Sequence, residues 1–193
     1  IEIIDLQEPV GKQDQYITSH GGIKSFYFLK NGNVKIVDNS IKKKVIKILE
    51  KRLLLYFTGF SRKSSAILKE QNDKTKKNEA QIIGNLDFIK DLGIESLKSL
   101  EKGNLDEFCR IMKEHWNFKK KRSRKMSNSY IDSYYDYALS KGAKAGKVVG
   151  AGGGGFLMFY TENKKKLQYA LSKKKVNEIN FNFDYEGTKV LVR

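Results

Sequence analysis

Cysteine, proline, histidine and arginine are all scarce in this 193-residue chain, and each scarcity removes a class of explanation. One cysteine, Cys109, can form no internal disulfide, and two histidines, His20 and His115, leave too few ligands for a zinc site built from Cys and His. No metal-ligating protein residues are expected. A lone thiol suits a reducing, cytoplasmic compartment. One proline, Pro9, and the lack of repeats or Ser/Gly-rich linkers argue for one continuous unit. No apolar run approaches the roughly 20 residues a spanning helix needs, and no signal peptide is visible, so no membrane partner is expected.

Acidic residues are also in deficit: 22 Asp plus Glu face 38 Lys plus Arg, for a formal charge of +16. That balance invites a nucleic-acid reading. Arginine supplies the bidentate forks that phosphates and bases favour, yet it contributes only Arg52, Arg62, Arg110, Arg122, Arg124 and Arg193. The charge is therefore read as lysine drift in composition, not as a nucleic-acid footprint.

What is abundant is glycine in one place. Gly150-Ala151-Gly152-Gly153-Gly154-Gly155 lies between Val148-Val149 and Phe156-Leu157-Met158-Phe159-Tyr160. Such density marks backbone that must adopt positive φ or approach a ligand closely, and consecutive N–H groups can cradle phosphate. A dinucleotide fingerprint needs a helix after its glycines, whereas Phe156 to Tyr160 reads as a strand. The phosphate loop of protein kinases is excluded because no H-R-D or D-F-G element follows. A ligand-free turn would need only two glycines.

The rest of the chain predicts an α+β fold. Gly22 to Val37 reads as a hairpin around Asn31-Gly32, and Arg52 to Phe57 as a buried strand leading into a helix from about Ser61. Glu79 to Lys141 is helical throughout. Asn104 caps a helix whose Leu105, Phe108, Met112 and Trp116 form one apolar stripe, and Ile131, Tyr134, Tyr135 and Ala138 form another, ended by Gly142. Strands are expected at Val148 to Gly150, Phe156 to Tyr160, Val176 to Phe183 and Thr188 to Val192, with a helix over Lys164 to Lys173.

Three further clusters could carry chemistry. Gly11-Lys12-Gln13-Asp14-Gln15 places a carboxylate where it could take a proton from a hydroxyl, with Lys12 favouring its ionised form; a solvated helix start is the plainer reading. Thr58-Gly59-Phe60-Ser61-Arg62-Lys63-Ser64-Ser65 joins a strand end to a helix N-terminus with cations, which suits either an anion or an ordinary cap. Lys119-Lys120-Lys121-Arg122-Ser123-Arg124-Lys125 reads as a solvated connector. His115 and Cys109 read as structural residues of the helical core.

In order and spacing, Gly11-Lys12-Gln13-Asp14-Gln15, Phe57-Thr58-Gly59-Phe60-Ser61-Arg62 and Gly150-Ala151-Gly152-Gly153-Gly154-Gly155-Phe156 resemble the GHMP small-molecule kinases, most of all their sugar branch. The resemblance implies the end of an N-terminal, ATP-binding domain over residues 1–50, and over 51–193 a ferredoxin-like C-terminal domain with extra helices. It implies a cytoplasmic enzyme of carbohydrate metabolism in which ATP, with Mg2+ on its phosphates, phosphorylates the anomeric hydroxyl of a heptose 7-phosphate. Asp14 matches the catalytic base. Gly150, Ala151, Gly152, Gly153, Gly154 and Gly155 match the loop that shapes the site floor, and Lys12, Gln13, Thr58 and Arg62 are the candidates for the sugar phosphate. The family's ATP-binding motif, of the Pro-x-x-x-Gly-Leu-Gly-Ser-Ser kind, is expected before Ile1, so these residues alone are expected to be inactive.

Two other readings remain open here. A nucleic-acid-binding α+β module would expose Phe156, Phe159 and Tyr160 on its sheet. A catalytically silent interaction domain would keep the scaffold without the reaction. A homo-oligomer is compatible with either reading or with the kinase.

Overall fold

The structure, a computed structural model, describes residues 11–60, 64–76, 80–123, 125–174 and 176–191. Helix α1 (Gln13–His20) precedes an antiparallel hairpin of β1 (Lys24–Phe28) and β2 (Val34–Asp38). Asn31 and Gly32 turn it as the sequence predicts: the Gly32 amide donates to the Leu29 carbonyl at 3.0 Å, and Gly32 takes φ 85°. Tyr16 and His20 of α1 pack on Phe26 and Phe28 with ring centroids near 6 Å.

After α2 (Lys43–Arg52), β3 (Leu53–Phe57) opens the main sheet. Four helices follow: α3 (Ser64–Lys76), α4 (Ala80–Lys102), α5 (Leu105–Lys120) and α6 (Ser129–Ser140). Then come β4 (Ala143–Val148), β5 (Phe156–Thr161), α7 (Lys164–Ser172) and β6 (Asn177–Ile179). The sheet order is β4-β5-β3-β6, antiparallel at every pairing. Its strands thus lie second, third, first, fourth, with helices between the first and second and between the third and fourth, a β-α-β-β-α-β arrangement.

Consecutive strand residues point to opposite faces, so a strand buried on both faces reads as an unbroken apolar run. Both central strands do. Leu54, Tyr56, Leu157 and Phe159 pack on one face with Ile131, Tyr135, Leu167 and Leu171 of α6 and α7. Leu53 and Tyr160 pack on the other with Val45 and Leu49 of α2, Leu100 of α4 and Cys109 and Met112 of α5. Of the three expected platform aromatics, Phe159 and Tyr160 are each 1% exposed and only Phe156 is exposed, at 37%, so the three do not form the stacking surface an RNA-binding sheet requires.

Helix α5 starts where expected, the Asn104 side chain accepting from the Glu107 amide at 3.1 Å. With Asp106 and Glu107 in its first turn and Lys119 and Lys120 in its last, it also complements its dipole. The expected division between residues 50 and 51 falls inside α2, whose Val45 and Leu49 belong to the core of the main sheet.

Three strand expectations are corrected. The strand expected at Val148 to Gly150 is β4, which begins five residues earlier and ends at Val148. Of Val176 to Phe183 only Asn177–Ile179 pairs. Thr188 to Leu191 joins no strand, and Val192 lies outside the described residues. No helix among the described residues is long and apolar enough to cross a membrane.

Candidate active site

The glycine loop joins β4 to β5, and its geometry is fixed by two neighbouring segments. The Gly153 amide donates to the Met126 carbonyl at 2.8 Å, and the Gly155 amide to the Phe60 carbonyl at 2.9 Å. A Cβ on Gly152, where φ is 101°, would sit 3.0 Å from the Met126 sulfur and 3.1 Å from its carbonyl oxygen. At Gly154 a Cβ would meet the Phe60 carbonyl oxygen at 3.0 Å. The glycines thus serve close backbone approach as well as positive φ. Two amides of the expected phosphate cradle are spent on protein carbonyls; those of Ala151, Gly152 and Gly154 donate to no described residue.

Thr58, expected at the sugar, is 2% exposed. Its hydroxyl lies 3.0 Å from the carbonyls of both Phe60 and Gly155, and its amide donates to Gly155 at 2.8 Å. In this conformation its polar groups are committed to the loop, so Thr58 helps to position it. Arg62 lies outside the described residues.

The basic run after α5 is not the solvated connector expected. Lys119 and Arg122 are each 8% exposed and Ser123 is 3% exposed. The Lys119 ammonium donates to the Gly150 carbonyl at the mouth of the loop. Ser123 donates to the Glu70 carboxylate of α3 at 2.9 Å and its hydroxyl accepts from the Lys125 amide at 3.0 Å. A signal existed: Lys119 is three residues beyond Trp116 and seven beyond Met112, so it continues the apolar stripe of α5 and must point inward.

Lys147, on β4, shares a strand face with Ala145, which packs beside Cys109 and Met112. It brings a second largely buried ammonium to the same place. Burial, then the charges of Lys147 and Arg122, push the Lys119 amine down to about 7, against an opposing pull from Asp14. Burial and Arg122 likewise lower Lys147. His115, one turn before Lys119, is pushed down to about 3 by burial and by Lys147, Lys119 and Arg122, so it is neutral at physiological pH. It is structural, as expected. Cys109 is 4% exposed, and burial drives its thiol up to about 12.

Asp14 stands in the first turn of α1, exposed, and is the one carboxylate whose charge opposes the lowering of Lys119. Asp14 thus lies near enough for its charge to act on Lys119, which itself donates to the glycine loop at Gly150. Lys12 and Gln13 are exposed beside Asp14; the Lys12 ammonium donates to the Gly32 carbonyl of the hairpin turn at 3.3 Å. Sequence reasoning missed Lys119, Arg122 and Lys147, the residues that give this site its charge.

Residues 96–177, which hold the glycine loop and all three buried cations, match the family model described as GHMP kinases C terminal. Over 191 residues the chain is 33% identical to D-glycero-alpha-D-manno-heptose 7-phosphate kinase of Campylobacter jejuni, covering 98% of this chain and 56% of that protein. It is similar in structure to a D-glycero-D-manno-heptose 1-phosphate kinase from Bacteroides thetaiotaomicron, with a TM-score of 0.63 and 30% identity, across 99% of this chain and 53% of that one. L. major mevalonate kinase shares the fold at 14% identity, with a TM-score of 0.68 over 88% of this chain and 51% of that one. The chain spans about half the length of these relatives. Over residues 96–177 it is similar to the C-terminal domain of the GHMP kinases.

Proposed function

We propose that the protein is an ATP-dependent sugar kinase acting on the anomeric hydroxyl of a heptose 7-phosphate. The observation that carries this reading is the Lys119 ammonium, which donates to the Gly150 carbonyl of the glycine loop and feels the charge of the Asp14 carboxylate. A carboxylate near a buried cation and a glycine loop supplies parts a phosphoryl transfer needs, namely a proton acceptor and fixed positive charge. The likeness to heptose-phosphate kinases supports the substrate class. Asp14 takes the proton of the sugar hydroxyl as that oxygen bonds to the γ-phosphorus of ATP. The bond from that phosphorus to the bridging oxygen breaks, and its electron pair leaves on ADP.

Among the described residues no three His, Cys, Asp or Glu side chains gather into a metal site. That fits magnesium, which takes most of its ligands from nucleotide phosphates and water and needs only one or two carboxylates. When bound, the ion would neutralise charge on the transferring phosphate.

In the same reading, residues up to about Asn39 belong to an N-terminal, nucleotide-binding domain and α2 opens a ferredoxin-like C-terminal domain. The strand order and the packing of α2 on the main sheet support that boundary. Dependence on ATP suits a cytoplasmic enzyme. The test is ATP consumption by the natural protein with magnesium and heptose 7-phosphate, against the unphosphorylated heptose. Turnover only with the 7-phosphate is expected; no turnover with either sugar would sink the proposal.

A further inference from the structure

We infer that the turn at residues 184–188 is a clasp that positions helix α1, and with it Asp14, against the main-sheet unit. Helix α1 buries no residue, so packing into the core does not hold it. The carbonyls of its last turn have no following helical amide to accept from. The clasp supplies donors: the Thr188 hydroxyl donates to the Thr18 carbonyl at 3.2 Å, and the Thr188 amide to the Ser19 carbonyl at 3.4 Å. In the opposite sense, the Gly22 amide donates to the Asp184 carbonyl at 2.6 Å. Within α1 the Thr18 hydroxyl donates to the Asp14 carbonyl at 2.8 Å, so a chain of contacts runs from Thr188 through Thr18 to Asp14.

The close approach is written into both backbones. A Cβ on Gly21, where φ is 63°, would lie 2.6 Å from the Gly187 nitrogen and 2.8 Å from the Tyr185 carbonyl carbon. A Cβ on Gly187, at φ 68°, would strike the Ser19 carbonyl and lie 2.9 Å from the Gly21 nitrogen. Two glycines that meet at positive φ leave no room for a side chain on either. Asp184 shapes the turn, its carboxylate accepting from the amides of Glu186 at 2.8 Å and Gly187 at 3.3 Å. The turn is rooted in the main-sheet unit: the Phe183 amide donates to the Glu50 carboxylate of α2 at 2.8 Å, and Phe181 and Phe183 pack with Val45 and Leu49. A segment anchored in that core thus grips α1 by its backbone. Gly21, Asp184, Gly187 and Thr188 are positioning residues.

The inference rests on the kinase reading only for its catalytic consequence, since displacing a reacting group by about 1 Å can cost roughly 10²-fold in rate. The clasp itself is tested without turnover, by hydrogen exchange and mass spectrometry on the natural protein. Gly187→Ala should speed exchange over residues 14–22 by roughly tenfold or more while β3 and β5 keep their protection. Thr188→Val, which keeps the side-chain shape and loses the hydroxyl, should do the same to a smaller extent. Asp184→Ala should also speed it, whereas Asp184→Asn, whose amide oxygen still accepts, should not. Unchanged exchange over residues 14–22 in both Gly187→Ala and Thr188→Val, or equal loss of protection in β3 and β5, overturns the clasp. For the catalytic consequence, Gly187→Ala should lower kcat by roughly tenfold or more, yet cost nothing further when added to Asp14→Asn. Additive losses overturn the positioning of Asp14. Full activity in Asp14→Asn would reject Asp14 as the base, while the exchange result still decides the clasp.

Discussion

Replacing Lys119 by Met should weaken a pH dependence more clearly than it changes stability at any one pH. Methionine keeps most of the apolar stem and removes the amine. In the folded protein that amine titrates at about 7, against 10.5 in the unfolded chain. Between those values the unfolded chain holds a proton that the folded one has released, so stability rises with pH through this window and is flat below it, where both states are charged. At about 1.4 kcal/mol per proton per pH unit, partial titration from pH 7 to about pH 8.5 stabilises the wild type by roughly 1.5 kcal/mol. Lys147, whose amine is also lowered by burial and Arg122, adds to the same rise, whereas two further groups act outside that window. Neutral His115 adds stability as pH rises from about 3 to 6.5, and the raised Cys109 thiol removes it only as pH rises above 9. The assay is urea unfolding at constant ionic strength in phosphate-free buffer. The wild-type midpoint should climb over the window, and that of Lys119→Met should climb clearly less. At pH 7 the variant should be at least as stable as the wild type. A flat wild-type profile, or the same slope in both proteins, would refute the buried-cation account.

Gly152→Ala forces an L side chain to φ 101° and its Cβ to 3.0 Å from the Met126 sulfur. Calorimetric melting should show a loss of about 2–3 kcal/mol, whereas Gly142→Ala, at φ 107° with nothing within 4 Å, should lose about 1 kcal/mol from backbone strain alone. Cys109 should resist iodoacetamide in the native protein at pH 8 and react rapidly in urea, because burial both shields the thiol and raises it to about 12. Rapid native alkylation, followed by mass spectrometry, would contradict its place in the core.

Elements whose signals are local were legible in the sequence. The Asn31-Gly32 hairpin, the Asn104 cap and the run from Phe156 carry turn, cap and burial chemistry within a few residues. Strand β4 was misplaced because Ala143-Lys144-Ala145-Gly146-Lys147 looks polar and small. Its character follows from a neighbour: the Phe159 ring fills the space above Gly146, where a Cβ would lie 2.4 Å from Cδ1 of that ring. The tail misled in the opposite way. Phe181 and Phe183 do pack on the core, yet the Phe183 amide donates to the Glu50 carboxylate at 2.8 Å rather than to a strand. At the candidate site, the glycine loop stood out by type and spacing. Lys119, Arg122 and Lys147 did not, because charge in a basic run is ordinarily solvated and only the helix period of α5 marks Lys119 as inward.

The central claim is that Asp14 is the proton acceptor at a site built by the glycine loop and the buried cations. The direct measurement is kcat of Asp14→Asn in the natural protein with ATP, magnesium and heptose 7-phosphate, read beside its melting temperature. The account predicts kcat lower by roughly 10²- to 10⁴-fold, with melting unchanged. Full activity in Asp14→Asn would contradict it.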